Sequence, residues 1–201
     1  MPNTVIFDYG VGNLLSLKIA LEKSGFSAKI TISPQKLSKA DAIALPGVGN
    51  FSAAVVKLDP VKEKLVDAIR GGTPLIGICL GLQLFFTESE EGPGRGLSLL
   101  EGKSVRLKGS VKVPHMGWNT LQLVKKSRFF EGIEDNSYVY FVHSHYPIPA
   151  DRDILAAETE YGTKFPSAIV SKNIFGTQFH PEKSGEIGLK ILKNFANVVK
   201  R

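Results

Sequence analysis

A single cysteine, Cys79, lies between two glycines in the run Gly77-Ile78-Cys79-Leu80-Gly81. A thiol attacks as its thiolate, so it needs a base to take its proton and a third group to orient that base. The chain offers four histidines, His115, His143, His145 and His180. His180 has the most informative surroundings, because Pro181 and Glu182 follow it. Proline biases the residue before it to an extended backbone. In an extended segment residues i and i+2 project to the same side, so Glu182 can fix the His180 tautomer and stabilise the imidazolium. Cys79, His180 and Glu182 thus form a candidate set for nucleophilic catalysis. Plainer readings stand beside it: Cys79 as a small apolar residue in a buried strand, and His180-Pro181-Glu182 as a surface turn.

The elements around these residues decide whether they can meet. Leu75, Ile76 and Ile78 form a short apolar run, as a buried strand would, and Leu82, Leu84, Phe85 and Phe86 suit the start of a buried helix. A strand that turns sharply into a helix with a nucleophile at the turn is a nucleophile elbow, here with sulfur in place of serine oxygen. The flanking glycines let the backbone pass closely, and the helix N-terminus favours thiolate. Upstream, residues 5–9 read as a strand, and Leu14, Leu17 and Leu21 mark a helix that stops near Gly25. The turn between them, Gly10-Val11-Gly12-Asn13, lacks the third glycine of a dinucleotide fingerprint, so no nucleotide site is expected there. Residues 28–32 and 41–45 read as strands, the latter closing in Pro46-Gly47-Val48-Gly49, and residues 51–70 read as helical with a break near Pro60.

Strands and helices alternating over short connections indicate a parallel sheet covered on both faces. Residues 104–107, 120–124, 138–142, 154–160 and 168–170 read as short strands, added as antiparallel hairpins to one side of that sheet. Residues 174–179 read as a further strand ending at His180, and residues 185–199 as a helix with Ile187, Ile191, Leu192, Phe195, Val198 and Val199 on one face. The fold class expected is therefore α/β: a mixed, mostly parallel sheet flanked by helices on both faces, with added antiparallel strands, in one domain over 1–201. Ligands of open parallel sheets bind beyond the carboxyl ends of the strands. Cys79, Pro46-Gly47-Val48-Gly49 and His180 all fall at such ends, which favours the nucleophile over the buried cysteine.

Composition narrows the function classes. The chain has 201 residues, 43% hydrophobic and 22% charged, an ordinary globular composition long enough for a sizeable core. The net charge of +6 comes from scattered basic residues, with only short groups such as Lys125-Lys126 and Lys200-Arg201, so no nucleic-acid partner is expected. No apolar run is long enough to span a membrane. The first ten residues lack the basic n-region of a secretion signal, and a single cysteine excludes an internal disulfide framework. A cytoplasmic setting is expected, with no metal and no cofactor.

On Gly77-Ile78-Cys79-Leu80-Gly81-Leu82-Gln83 and Phe179-His180-Pro181-Glu182 the chain resembles the class I, or triad, glutamine amidotransferases. The resemblance covers essentially the whole chain. It implies that fold family, itself flavodoxin-like, and a cysteine that attacks the side-chain amide of glutamine. Ammonia leaves, and water hydrolyses the γ-glutamyl thioester. The segments Pro46-Gly47-Val48-Gly49-Asn50-Phe51, Pro114-His115-Met116-Gly117-Trp118-Asn119, Tyr140-Phe141-Val142-His143-Ser144 and Gln178 to Ser184 are similar to the glutaminase subunits of imidazole glycerol phosphate synthases, enzymes of histidine biosynthesis.

Matched position by position, this resemblance makes Cys79 the nucleophile, His180 the base and then acid, and Glu182 the orienting carboxylate. It puts the oxyanion hole at the N–H groups of Leu80 and Val48, where a preorganised donor contributes about 3–4 kcal/mol. Gly47 and Gly49 would let that peptide rotate, and the strand is expected to stay misoriented until a partner binds its ligand. Gly47, Gly49, Gln83, His143 and Ser144 would hold the substrate. His145 stands where many relatives carry an aromatic residue. Asn13, Trp118, Tyr140 and Lys183 match interface or gating positions toward a (β/α)8-barrel cyclase, expected as a separate subunit of a heterodimer. Simpler assignments are a core Trp118, a solvated Gln83 and strand-end polar roles for His143 and His145. The alternatives for the whole chain are the glutaminase of another synthase, against which the segments at 114–119 and 140–144 speak, and a catalytically silent binding subunit.

Overall fold

The computed structural model describes residues 1–200. The first half runs β1 (Asn3–Phe7), α1 (Leu14–Lys23), β2 (Ser27–Thr31), β3 (Ala42–Leu45), α2 (Phe51–Leu58), α3 (Lys62–Arg70), β4 (Leu75–Ile78) and α4 (Leu80–Gln83). Then follow β5 (Glu88–Ser89), β6 (Gly102–Arg106), β7 (His115–Thr120), β8 (Gln122–Leu123), β9 (Tyr138–His143) and β10 (His145–Pro149). The chain ends with β11 (Leu155–Glu160), β12 (Lys164–Ser171), β13 (Ile174–Thr177) and α5 (Gly185–Val199).

The main sheet has eight strands in the order β2-β1-β3-β4-β13-β12-β11-β8. From β2 to β13 all neighbours are parallel, and β12, β11 and β8 continue the edge antiparallel. The inner parallel strands β1, β3, β4 and β13 are buried on both faces and almost wholly apolar, whereas the edge strand β2 exposes Lys29 and Ile30. Successive residues alternate between two cores. Ile6, Ala44, Ile76 and Phe175 pack toward α1 and α5, whereas Val5, Phe7, Ile43, Leu45 and Leu75 pack toward α2, α3 and α4. The expected class, a mostly parallel mixed sheet with helices on both faces, is the one observed.

Local chemistry starts and stops the elements. The Asn13 and Asn50 side chains accept from Ser16 N and Ala53 N at 3.1 Å, capping α1 and α2. Pro60 breaks the long helical stretch as expected, leaving a short 3-10 turn, Asp59–Val61, between α2 and α3. Among the described residues no helix is long and apolar enough to cross a membrane.

Three features differ from the sequence expectation. The helix after Cys79 is one turn, because Leu97 N and Leu99 N take the carbonyls of Leu84 and Phe85 at 2.7 and 2.9 Å and the loop replaces the next turn. The strand-like runs of the middle section do not all join the main sheet: β6 pairs with β10 and β5, and β9 pairs with β7, a strand the pattern does not mark, as separate small sheets. The strand β10 is absent from the pattern because Pro147 and Pro149 argue against one; it is tolerated as an edge paired only to β6.

Strand ends meet at the elbow with no room for side chains. A Cβ on Gly81 would sit 2.1 Å from the Leu45 carbonyl oxygen, and one on Gly47 would sit 2.5 Å from Leu80 Cβ. Gly81→Ala is expected to destabilise the protein by about 2–3 kcal/mol or more through forced separation of β3 from α4, measured as a lowered urea midpoint at constant slope. A midpoint unchanged from wild type would mean that the contact relaxes freely.

Candidate active site

The position of Cys79, the candidate nucleophile, is set by the backbone. Cys79 adopts φ 53° and ψ −106° at the start of α4, a conformation that costs a residue with a Cβ about 1–3 kcal/mol and persists only when its surroundings enforce it. Cys79 N donates to Thr177 O at 2.7 Å, tying the elbow to β13. Because β4 and β13 are adjacent and parallel in register, the two chain segments leave the sheet side by side. One carries Cys79 and the other carries Gln178, Phe179 and His180.

His180 is 2% exposed, and its Nδ1 lies 2.8 Å from Glu182 Oε1. The pair meets through a 3-10 turn at Pro181–Lys183, and not along a continuing extended strand as the sequence suggested. The turn is held from β9: His180 N donates to Tyr140 O at 2.9 Å, Tyr140 N donates to Ser184 Oγ at 2.9 Å, and Ser184 Oγ donates to His180 O at 2.7 Å. His180 Nε2 is buried and has no hydrogen-bond partner among the described residues. Burial alone would lower the His180 pKa, but the Cys79 sulfur and the Glu182 carboxylate outweigh it and raise it to about 10. His180 therefore rests as an imidazolium.

A cavity of about 200 Å³ opens beside the sulfur, lined by Val48, Gly49, Cys79, Leu80, Gln83, Glu91, Pro114, Val142 and the run His143-Ser144-His145. This brings together the expected Cys79, Val48, Leu80, Gly49, Gln83, His143 and Ser144. A second, tighter space of about 30 Å³ lies beyond Val48 and is lined by Asn13, Gly47, His180, Glu182 and Lys183, among others. A larger cleft of about 860 Å³ between Leu123 and Ile133 contains none of these residues.

The two expected oxyanion donors are not both free. Leu80 N–H points to the Gly47 carbonyl at 3.4 Å, so a carbonyl faces the N–H that was expected to stand open. The buried Tyr9 hydroxyl donates to Pro46 O and anchors the near end of this segment. Its far end at Gly49 has φ +145°, open to glycine alone among common residues.

Gln83 is 4% exposed and not solvated: its Nε2 donates to His145 O at 2.7 Å and to Gln178 Oε1 at 3.2 Å. Burial pushes His143 down to about 3 and His115 down to about 4, so both rings are neutral. Their tautomers follow from the bonds. His143 Nδ1 must donate to the His145 carbonyl at 3.0 Å, so its Nε2 accepts from His115 Nδ1 at 3.1 Å, and His115 Nε2 accepts from Asn119 Nδ2 at 3.4 Å. His145 enters this network through its main chain, which any residue supplies, so the histidine in place of an aromatic residue leaves these bonds unchanged.

Glu91 was not legible as a site residue in its loop. It is the one acidic side chain lining the cavity; Oε2 accepts from Phe51 N at 2.7 Å and Oε1 lies 3.8 Å from His145 Nδ1. Trp118 is 56% exposed, which rules out the core assignment. It packs edge-on against Tyr140 at 5.9 Å, and Lys183 Nζ lies 5.8 Å above the Tyr140 ring. With Met116 and Tyr138, also exposed, they form an apolar face on the β7–β9 ribbon.

Residues 5–199 match the family described as Glutamine amidotransferase class-I. The imidazole glycerol phosphate synthase subunit HisH of Methanothermobacter thermautotrophicus is 50% identical over 97% of this chain and 98% of its own. The subunit of the same name from Pyrococcus furiosus is 49% identical with the same coverage, 97% and 98%. The fold is shared with a chain of PurLQS from Thermotoga maritima at 20% identity, TM-score 0.78, covering 98% of both chains. It is also shared with a glutamine amidotransferase of that organism at 18% identity, TM-score 0.69, over 99% of this chain and 82% of that one.

The histidines set a pH optimum of stability. Below pH 6.5 the unfolded chain takes up protons that folded His143 and His115 refuse until about 3 and 4, so stability falls as pH drops. Above pH 6.5 the unfolded chain releases the proton that folded His180 keeps to about 10, so stability falls as pH rises. Urea unfolding from pH 5 to 10 is expected to give maximal stability near pH 6.5, with the alkaline decline reduced in Glu182→Gln. A profile flat on both sides would contradict these protonation states.

Proposed function

This chain belongs to the class-I glutamine amidotransferase family, and from that membership we propose that it hydrolyses L-glutamine to glutamate and ammonia as the glutaminase subunit of an imidazole glycerol phosphate synthase. The observation that carries the choice of synthase is the 50% identity to a HisH subunit over 97% of the chain. The chemistry is supported by the buried Cys79, His180 and Glu182 set beside the cavity.

The Cys79 thiolate attacks the amide carbon of glutamine. His180, resting as imidazolium, gives its Nε2 proton to the departing nitrogen, so ammonia leaves and a γ-glutamyl thioester remains. Neutral His180 then takes a proton from water, hydroxide attacks the thioester and expels the thiolate, and the γ-carboxylic acid loses its proton to solvent, so glutamate leaves with the thiolate and imidazolium restored. Glu182 holds the ring through Nδ1 in both steps. The α-ammonium of glutamine faces Glu91, and the main chain at His143-Ser144 takes the α-carboxylate. The oxyanion needs the peptide between Gly47 and Val48 to turn, removing the Gly47 carbonyl from Leu80 N–H and presenting Val48 N–H.

The partner in this reading is a (β/α)8-barrel cyclase docked on the face that carries Asn13, Trp118, Tyr140 and Lys183. Ammonia would leave through the narrow space between Asn13, Gly47 and Lys183, because exposure to water would protonate it and end its nucleophilicity. The cyclase then makes imidazole glycerol phosphate and aminoimidazole carboxamide ribotide for histidine synthesis, in the cytoplasm.

Glutamate is expected in quantity only when the cyclase and its nucleotide ligand are both added. Cys79→Ser should abolish glutamine-dependent synthesis while synthesis from added ammonium continues; no glutamate under any condition would instead favour a silent binding subunit. Glu91→Gln should raise KM for glutamine about 10- to 100-fold, as for loss of a charged hydrogen bond, with kcat little changed; an unchanged KM would remove Glu91 from the substrate site.

A further inference from the structure

We propose that Gln178 is a catalytic residue whose side-chain amide donates a hydrogen bond to the Cys79 sulfur, and that Gln83 and the His145 carbonyl lock it in that orientation. This rests on Cys79 being the nucleophile and adds a group to the set of three. Gln178 is fully buried, at 0% exposure. A buried amide is retained only when its polar atoms are used, and Gln178 uses both: Nε2 lies 3.5 Å from Cys79 Sγ, and Oε1 accepts from Gln83 Nε2 at 3.2 Å.

The direction of this chain is fixed from its far end. A main-chain carbonyl can only accept, so Gln83 presents Nε2 to His145 O at 2.7 Å. The same nitrogen then donates to Gln178, which makes the Gln178 atom facing it Oε1 and the atom facing sulfur Nε2. Turning the Gln178 amide over would set two N–H donors against each other and an oxygen against the sulfur. The His145 carbonyl is held from the other side by His143 Nδ1 at 3.0 Å, in a tautomer fixed by His115 and Asn119. One acceptor thus orders two amides up to the nucleophile.

The sulfur needs this donor. Cys79 Sγ lies 3.6 Å from Val142 O, a carbonyl that can only accept and so offers a thiolate no hydrogen bond. Gln178 Nε2 supplies a donor on that sulfur. It also remains a donor after His180 has given up its proton, when sulfur becomes the leaving group of thioester hydrolysis.

Cys79 is the only cysteine, so thiolate absorbance and iodoacetamide alkylation of the intact protein report on it alone, without glutamine or a partner. Gln178→Met, similar in size and lacking the donor, is expected to raise the midpoint of thiolate formation by roughly half to one pH unit and slow neutral-pH alkylation about three- to tenfold. Gln178→Glu, isosteric with an acceptor in place, should raise it further. An unchanged midpoint in either folded variant overturns the proposal. Should both fail to fold, the Gln178 side-chain amide resonances of the wild type must move at the Cys79 midpoint and again on alkylation, and an amide insensitive to both overturns it equally. Because no substrate enters, a negative result leaves the glutaminase reading standing, whereas absence of glutamate under every condition would defeat that reading without altering the thiolate midpoint.

Discussion

Backbone meets backbone at the centre of this protein. The exits of β3 and β4 and the single turn of α4 approach so closely that Gly47, Gly77 and Gly81 have no space for a Cβ; at Gly77 one would meet the Phe85 ring at 2.3 Å. That contact accompanies the left-handed backbone of Cys79 at the start of α4. It also seats Gly47 against Leu80 and Gly81, so the Pro46-Gly47-Val48-Gly49 segment and Cys79 come to the same cavity. The strain at Cys79 is held by two buried cores pressing on the sheet from opposite sides.

Around the elbow, histidines of one chemical type take opposite protonation states. His115 and His143 are buried against aromatic rings with no carboxylate partner, and burial keeps them neutral. His180 is equally hidden, yet Glu182 and Cys79 hold its proton. The difference lies in charge within hydrogen-bonding range and not in exposure. A neutral ring offers one donor and one acceptor, which a charged ring cannot do, and the charged ring holds a proton on each nitrogen.

The β7–β9 ribbon connects these functions. Its inner face carries His115, Phe141 and His143, and its outer face carries Met116, Trp118, Tyr138 and Tyr140. The same strand β9 clamps the His180 turn through the Tyr140 main chain. A partner covering the outer face would thus press on elements that hold the His180 turn and the His145 carbonyl.

Read as letters, the chain announces its parallel sheet, because strands buried on both faces must be apolar runs separated by helical patterns. It also announces Cys79, His180 and Glu182, because a glycine-flanked cysteine and a His-Pro-Glu step are local patterns that need no knowledge of distant residues. Local pattern could not show β10, whose prolines imitate a loop, or Glu91, which lies in a loop without periodicity and gains meaning only from the cavity wall opposite. It could not show that Trp118 is exposed, since periodicity does not say which face of a separate ribbon is covered. Nor could it show Gln83, Gln178 and His145 O joined to one sulfur. Those contacts span 62 to 99 residues of sequence separation. Only the folded chain brings them within hydrogen-bonding distance, β13 lying beside β4 and β10 packing against α4, because side-chain hydrogen bonds reach about 3 Å while sequence patterns report only neighbours along the chain.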